Sequence, residues 1–255
     1  MGWACPLIFQ KSLKENPYKH HYSNHIMKRG SLIFIILCIF LISIVCAHQP
    51  RLVFDKTSNI ESPFIINNPE ISQAFYGNLK GQEDFYQIYS DKPFNLYLNI
   101  LSPAITGATK DFNLLILKDN KYFANLSAKD SNWTLFHEKF ANDDYYKGPE
   151  FQENVSSGTY IIEVSSLQGE LDAFANSGKY SLAVGQIESF QFKEALNTEL
   201  SLPKLKSGFF DKSPLTAYFN VLGLFLLGIL IVIILLIILV IFVIKILISL
   251  LKRKR

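Results

Sequence analysis

Between Arg51 and Val184 apolar side chains recur at every second position, the periodicity of strands that turn one face to a core. The stretch "PFNLYLNIL" places Phe94, Leu96, Leu98 and Ile100 on one face and Asn95, Tyr97 and Asn99 on the other. "GTYIIEVSS" does the same with Tyr160, Ile162 and Val164, and "GKYSLAVG" with Tyr180, Leu182 and Val184. The pattern predicts further strands over 73–79, 84–90, 111–118, 121–126 and 133–140. "KDNK" at 118–121 reads as a tight turn, because Asp and Asn tolerate the backbone angles it needs. Eight or so short strands with no helical pattern between them predict an all-β, jelly-roll-like β-sandwich over residues 48–186. Beyond it, "SFQFKEALNTEL" predicts a short helix and "SLPKLKSGFFDKSP" a juxtamembrane connection, so that 187–217 links the sandwich to a membrane. Lys204, Lys206 and Lys212 in that segment are placed to meet either lipid phosphates or water.

Two uncharged apolar runs set the topology. Val221 to Ile244 is 24 residues long, and about 20 helical residues cross a bilayer. It is followed by Lys245 and by "KRKR" at 252–255, which the positive-inside rule leaves in the cytoplasm. The expectation is a transmembrane helix over 218–251, a basic cytoplasmic tail at 252–255, and a single-pass protein of the cell membrane with its N-terminal domain outside. The earlier run, Ser31 to Ala47, follows Lys28 and Arg29 in the order of a secretory signal helix. Residues 1–47 therefore read as an N-terminal extension and signal peptide, with Val45 and Ala47 at the positions a signal peptidase inspects before His48. Retention of residues 31–47 as a second anchor is the alternative, and either Met1 or Met27 serves as a start.

The formal net charge of +3 hides a division between segments. From His48 to Ala217 there are 15 Lys and Arg against 21 Asp and Glu, a net charge of −6. The basic excess belongs to the leader and tail, so the outer domain offers no footprint for nucleic acid. Cys5, Cys38 and Cys46 all precede His48, which rules out a disulfide framework outside. Bulky Ile44 and Val45 before Cys46 argue against lipidation there.

Candidate chemistry is sparse. "HEKFA" at 137–141 opens like a zinc-peptidase helix, but Ala141 stands where the second His ligand belongs, and neither a nucleophile elbow nor a phosphate loop is present. The chain is expected not to be an enzyme. "ANDDYYKGPEFQEN" reads as a loop whose Asp143, Asp144, Glu150 and Glu153 supply oxygen ligands of the kind calcium takes, with Asp111, Asp119 and Asp130 as further carboxylates. A solvated acidic loop is the competing reading. The same stretch carries Tyr145, Tyr146 and Phe151, with Trp133 upstream, aromatic faces suited to a glycan or a protein partner. Asn125, Asn132 and Asn154 begin N-x-Ser/Thr sequons, which matter if the chain is made in a glycosylating pathway. Cleavage before His48 would leave an α-amine beside an imidazole, a copper chelate if His137 completes it.

The run "FYGNLKGQEDFYQIYSDKPFNLYLNI", followed by "SSGTYIIEVSS" and "NSGKYSLAVGQ", resembles the bacterial pre-peptidase C-terminal domain. The positions that carry the likeness are Gly77, Asp84, Phe85, Tyr86, Gly158, Thr159, Tyr160, Tyr180, Ser181 and Leu182, within Gln73 to Val184. It is similar as well to membrane-anchored prokaryotic proteins whose whole ectodomain is such a module. The resemblance implies a jelly-roll adhesion or accessory module, assisted in some relatives by calcium. The expectation for function is a non-enzymatic, membrane-anchored extracytoplasmic binding module with a protein or glycan partner. Its rivals are a copper-dependent redox or metal-handling protein using His48 and His137, and an accessory subunit of a membrane complex.

Overall fold

The computed structural model describes residues 48–253 apart from 140, 170, 173–174, 190–191 and 220. The expected signal helix at 31–47, the three cysteines and the last two tail residues lie outside the described residues. The strands are β1 (Gln49–Leu52), β2 (Phe64–Ile65), β3 (Gln73–Lys80), β4 (Asp84–Ser90), β5 (Phe94–Pro103), β6 (Phe112–Lys118), β7 (Lys121–Leu126), β8 (Thr134–Glu138), β9 (Asp143–Val155), β10 (Gly158–Ser166) and β11 (Ser177–Val184). Two helices follow, α1 (Phe192–Gly208) and α2 (Val221–Arg253), joined by a 3-10 turn over Pro214–Tyr218.

The strands form a two-sheet β-sandwich. One sheet has six strands in the order β1-β3-β11-β5-β9-β8, and the other has five in the order β2-β4-β10-β6-β7. Pairing is antiparallel except at two edges, where β1 lies parallel to β3 and β2 parallel to β4. The alternation read from sequence is the alternation of burial. Leu96, Leu98 and Ile100 of β5, Tyr160, Ile162 and Val164 of β10, and Tyr180, Leu182 and Val184 of β11 are wholly inaccessible and meet between the sheets. Each such side chain contributes about 2 kcal/mol relative to exposure. The β6–β7 turn is also as expected: Asp119 and Asn120 adopt φ of 49° and 61°, the pair of left-handed residues a two-residue hairpin requires.

Three strands were not anticipated: β1, β2 and β9. The stretch read as a loop from Ala141 to Asn154 lies mostly within β9, a 13-residue strand paired with β5 on one side and β8 on the other. Its Gly148 and Pro149, which looked like turn residues, sit where the β5–β9 register shifts between Asn99 and Leu101. A bulge is where a strand accommodates a residue without an amide hydrogen. Asn99 fills the irregularity by donating Nδ2 to the carbonyls of Gly148 and Pro149, at 3.1 and 2.9 Å.

The second correction concerns residues 187–217. The helix is not confined to the first part of the segment: α1 runs through "SLPKLKSG" despite Pro203, which leaves the Glu199 carbonyl without its helical donor. Nor is α1 a free connection. Leu202, Leu205, Phe209 and Phe210 are buried against Tyr76, Leu101, Tyr145 and Ala183, on the outer face of the six-stranded sheet. That sheet is consequently covered on both sides over part of its area, which is why β3 is buried at both its odd and its even positions. In α2, Leu227–Lys252 forms the one helix, among the described residues, that is long and apolar enough to cross a membrane.

Candidate functional site

The outer face of the six-stranded sheet gathers most of the polar chemistry in the molecule. Ala74 lies opposite Ala183, and Ser181 opposite Tyr76, across the β3–β11 ladder. These small side chains leave a hollow between α1 and the β8 edge, a cleft of about 140 Å3. Its walls include His48, Tyr76, Tyr97, Phe136, Glu138, Tyr145 and Lys147. A smaller cavity of about 20 Å3, lined in part by His48, Tyr76, Glu138, Ala141 and Leu205, continues the cleft beneath α1.

Charge and burial tune this face. Tyr76 and Tyr145 share a buried hydroxyl contact of 3.1 Å, and desolvation raises both above the usual phenol value, with the Glu138 and Asp143 carboxylates adding to the effect. Tyr97 is pushed up to about 12, first by partial burial and then by the charge of Glu150. His48, the first described residue, is exposed as a whole, but its ring turns inward onto the Ser72 hydroxyl. Desolvation lowers its imidazole below the usual value, while Glu138 and then Glu188 act in the opposite sense.

Beneath α1 lies a fully enclosed ion pair. Lys206 Nζ donates to Asp143 Oδ2 at 2.5 Å and to the Ala141 carbonyl, and Lys212 Nζ donates to Asp143 Oδ1 at 2.8 Å. Asp143 is inaccessible, and Lys206 retains only 1% exposure. Lys204 pairs with Asp55 at 2.6 Å on the surface. The three lysines expected to face lipid phosphates or water are therefore matched by carboxylates of the same domain; Lys206 fastens α1 to β9, and Lys212 fastens the segment that follows α1.

The four carboxylates proposed for calcium are spread along a strand. Asp143 is held by two lysines, Asp144 accepts from His137 Nδ1 at 2.7 Å, and Glu150 pairs with Lys147. Asp144 and Glu153 are nine residues apart on β9, roughly 30 Å at strand rise, so they do not converge. Asp119 instead accepts from the Thr159 amide at 3.0 Å, and among the described residues no group of three or more His, Cys, Asp or Glu is arranged to hold a metal. His48 and His137 are also separated: Phe136 and Glu138 of β8 face the cleft with His48, and alternation turns His137 to the opposite side with Asp144.

The aromatic candidates are mostly structural. Tyr145 is buried and packs edge-on against Phe210 at 5.3 Å. Trp133 and Phe151 pack on the main core, Trp133 covering Gly148 so closely that a Cβ there would meet its ring at 2.5 Å. Tyr146 is half-buried under Lys110, whose Nζ lies 4.4 Å from the ring centre. Asn125, Asn132 and Asn154 are all exposed, and Asn154 accepts from Asn95 at 3.0 Å. Among the exposed apolar side chains of the domain are two neighbours on β8, Leu135 and Phe136, at 68% and 40% exposure. The signal for Tyr97 and Asn99 was present in the polar face of "NLYLN", but their cleft depends on Ala74 and Ala183, which sequence pattern does not pair.

The chain matches no family model, and no curated protein matches it. Solved structures similar in fold include the following two. One is the periplasmic lysozyme inhibitor PliG, of g-type lysozyme, from Aeromonas hydrophila, at 12% identity over 53% of this chain and 97% of that one, with a TM-score of 0.31. The other is the pre-peptidase C-terminal domain of collagenase from Bacillus anthracis, at 13% identity over 55% of this chain and 97% of that one, with a TM-score of 0.27. The second is the domain class that the sequence resembles.

Proposed function

We propose that this chain is a membrane-anchored, non-enzymatic binding module that crosses the bilayer once through α2 and offers its jelly-roll-like sandwich to a protein partner outside the cell. The observation that carries the reading is the β8 edge. A strand with one unpaired side is normally short, charged or covered, yet β8 ends the six-stranded sheet and exposes Phe136 beside an open cleft and Leu135 on its opposite face. Exposed apolar side chains flanked by polar groups are the composition of an interface centre and its rim. The cleft wall adds Tyr97, Glu138 and Lys147 to that rim. Lys245 and the basic cluster at 252–255 support an orientation with that end in the cytoplasm.

Photo-crosslinking on intact cells tests the proposal. A crosslinker in place of Phe136 should give a discrete protein adduct that Leu135→Lys abolishes, whereas one in place of Tyr89, exposed on the other sheet, should give none. Equal labelling from both positions, or none from position 136, would sink it. Adducts sensitive to glycosidase would redirect the reading to a glycan partner.

A further inference from the structure

We propose that Lys206 and Asp143 are joined by an isopeptide bond, a self-made covalent link between α1 and β9 that is independent of the binding role above. Three features of the pair carry the inference. The two groups are sealed from solvent, with side-chain exposures of 2% and 0%, among the rings of Tyr145, Phe209 and Phe210. Nζ stands 2.5 Å from Oδ2, which brings the nitrogen within roughly 3–3.5 Å of the carboxyl carbon, the separation of a near-attack arrangement. A second cation, Lys212, lies 2.8 Å from the other carboxylate oxygen, Oδ1.

The ion pair contains every atom of the product. One proton passes from the Lys206 ammonium to Oδ2, discharging two ions whose burial is costly. The neutral amine then attacks the Asp143 carboxyl carbon, and negative charge gathers on Oδ1, against the Lys212 ammonium already in place to stabilise it. Collapse of this intermediate expels Oδ2 as water, with a second nitrogen proton, and leaves an amide with one N–H. No oxidant, cofactor or external acid enters the balance.

The surroundings suit the product as well as the reactants. The amide N–H retains the Ala141 carbonyl as its acceptor, and the amide oxygen retains Lys212 as its donor. The cavity of about 20 Å3 that touches Ala141 and Leu205 is large enough for the one water released. Joining residues 143 and 206 would make the contact between the sandwich and the segment leading to α2 permanent, so that load on the domain reaches the membrane helix without unzipping α1.

Peptide mapping of the full chain, purified in detergent and denatured before digestion, tests this directly. The expected result is one branched peptide joining the Asp143 segment to the Lys206 segment, lighter than the two linear peptides by one water, with Lys206 resistant to trypsin. Lys206→Arg and Asp143→Ala should each return only linear peptides. Unmodified linear peptides from the wild-type chain would overturn the proposal whether or not the variants fold. So would a water loss confined to the Asp143 peptide and retained in Lys206→Arg, since that marks an aspartyl succinimide.

Discussion

Asp84 is a carboxyl enclosed in the core and held by hydroxyl groups. Tyr180 donates to Oδ2 at 2.7 Å and Ser58 to Oδ1 at 3.2 Å, while Tyr86 meets Tyr180 at 2.7 Å. Desolvation raises its pKa despite these bonds and the nearby Lys80. A carboxyl raised in the folded state keeps a proton that the unfolded chain has lost, so stability falls as pH climbs from the unfolded value near 4 through the folded value, and is level above it. Glu163 and Glu199 are raised in the same direction, each first by desolvation. Asp84→Asn keeps an acceptor for Tyr180 and should flatten, without abolishing, the fall of melting temperature across that window. An unchanged slope would show that Asp84 ionises normally in the fold. Close by, a Cβ on Gly77 would lie 2.3 Å from Tyr180 Cζ, and the ring has nowhere to go in a filled core. Gly77→Ala should cost about 3 kcal/mol, lowering the melting temperature by roughly 10 °C for a domain of this size. Both positions carry the family resemblance, and their burial follows from phase alone: Asp84 precedes Tyr86 and Ile88 on the inward side of β4. The sequence does not reveal that the inward Asp meets a tyrosine 96 residues away.

At the scale of elements, legibility depended on whether a segment's partner lay within one sheet. β4 buries one face in alternation, β6 and β10 keep that phase with one additional buried position each, and the bounds of β4, β6, β7 and β10 lie within a residue or two of the pattern. In β9 the buried positions stay in one phase, but the face they meet changes across the bulge: Tyr145 packs in the outer cluster, whereas Phe151 and Val155 pack between the sheets. In α1 the lysines resemble a solvated linker until their acceptors are known, and the Asp143 that meets Lys206 is 63 residues earlier in the chain. Phe209 and Phe210 at the end of α1 are the apolar anchor of that contact: Phe209 is inaccessible and packs edge-on against Tyr76 at 5.0 Å. Phe209→Ala should remove about 3–5 kcal/mol of packing from α1 and little from between the sheets. Amide exchange should then quicken over 192–210 while β5, β10 and β11 remain protected. Uniform loss of protection would instead make α1 part of the cooperative sandwich core.

At the scale of the whole molecule, the apolar helix decides where everything else works. Ala217 is still buried in the α1 cluster, and the uncharged apolar run begins four residues later at Val221, the first residue of α2. The stretch Leu227–Lys252 holds 26 residues, about 39 Å of helix, which is long enough to cross a hydrocarbon core of about 30 Å. Insertion strength follows from the same residues. Leu, Ile, Val and Phe each favour the membrane by about 0.3–0.6 kcal/mol at the helix centre, while one Lys there opposes it by about 2.5–3.5 kcal/mol. Some 20 apolar side chains, about 6–12 kcal/mol in all, therefore outweigh a single lysine and are roughly cancelled by three. Ile238→Lys alone should leave the chain resistant to alkaline carbonate extraction. Ile234→Lys, Ile238→Lys and Ile241→Lys together should release it. Release by the single substitution would mean that α2 lies on the membrane surface, where one charge turned toward lipid suffices to dislodge it. Retention of the triple variant would mean that contacts outside α2, through the sandwich or a partner, hold the chain at the membrane.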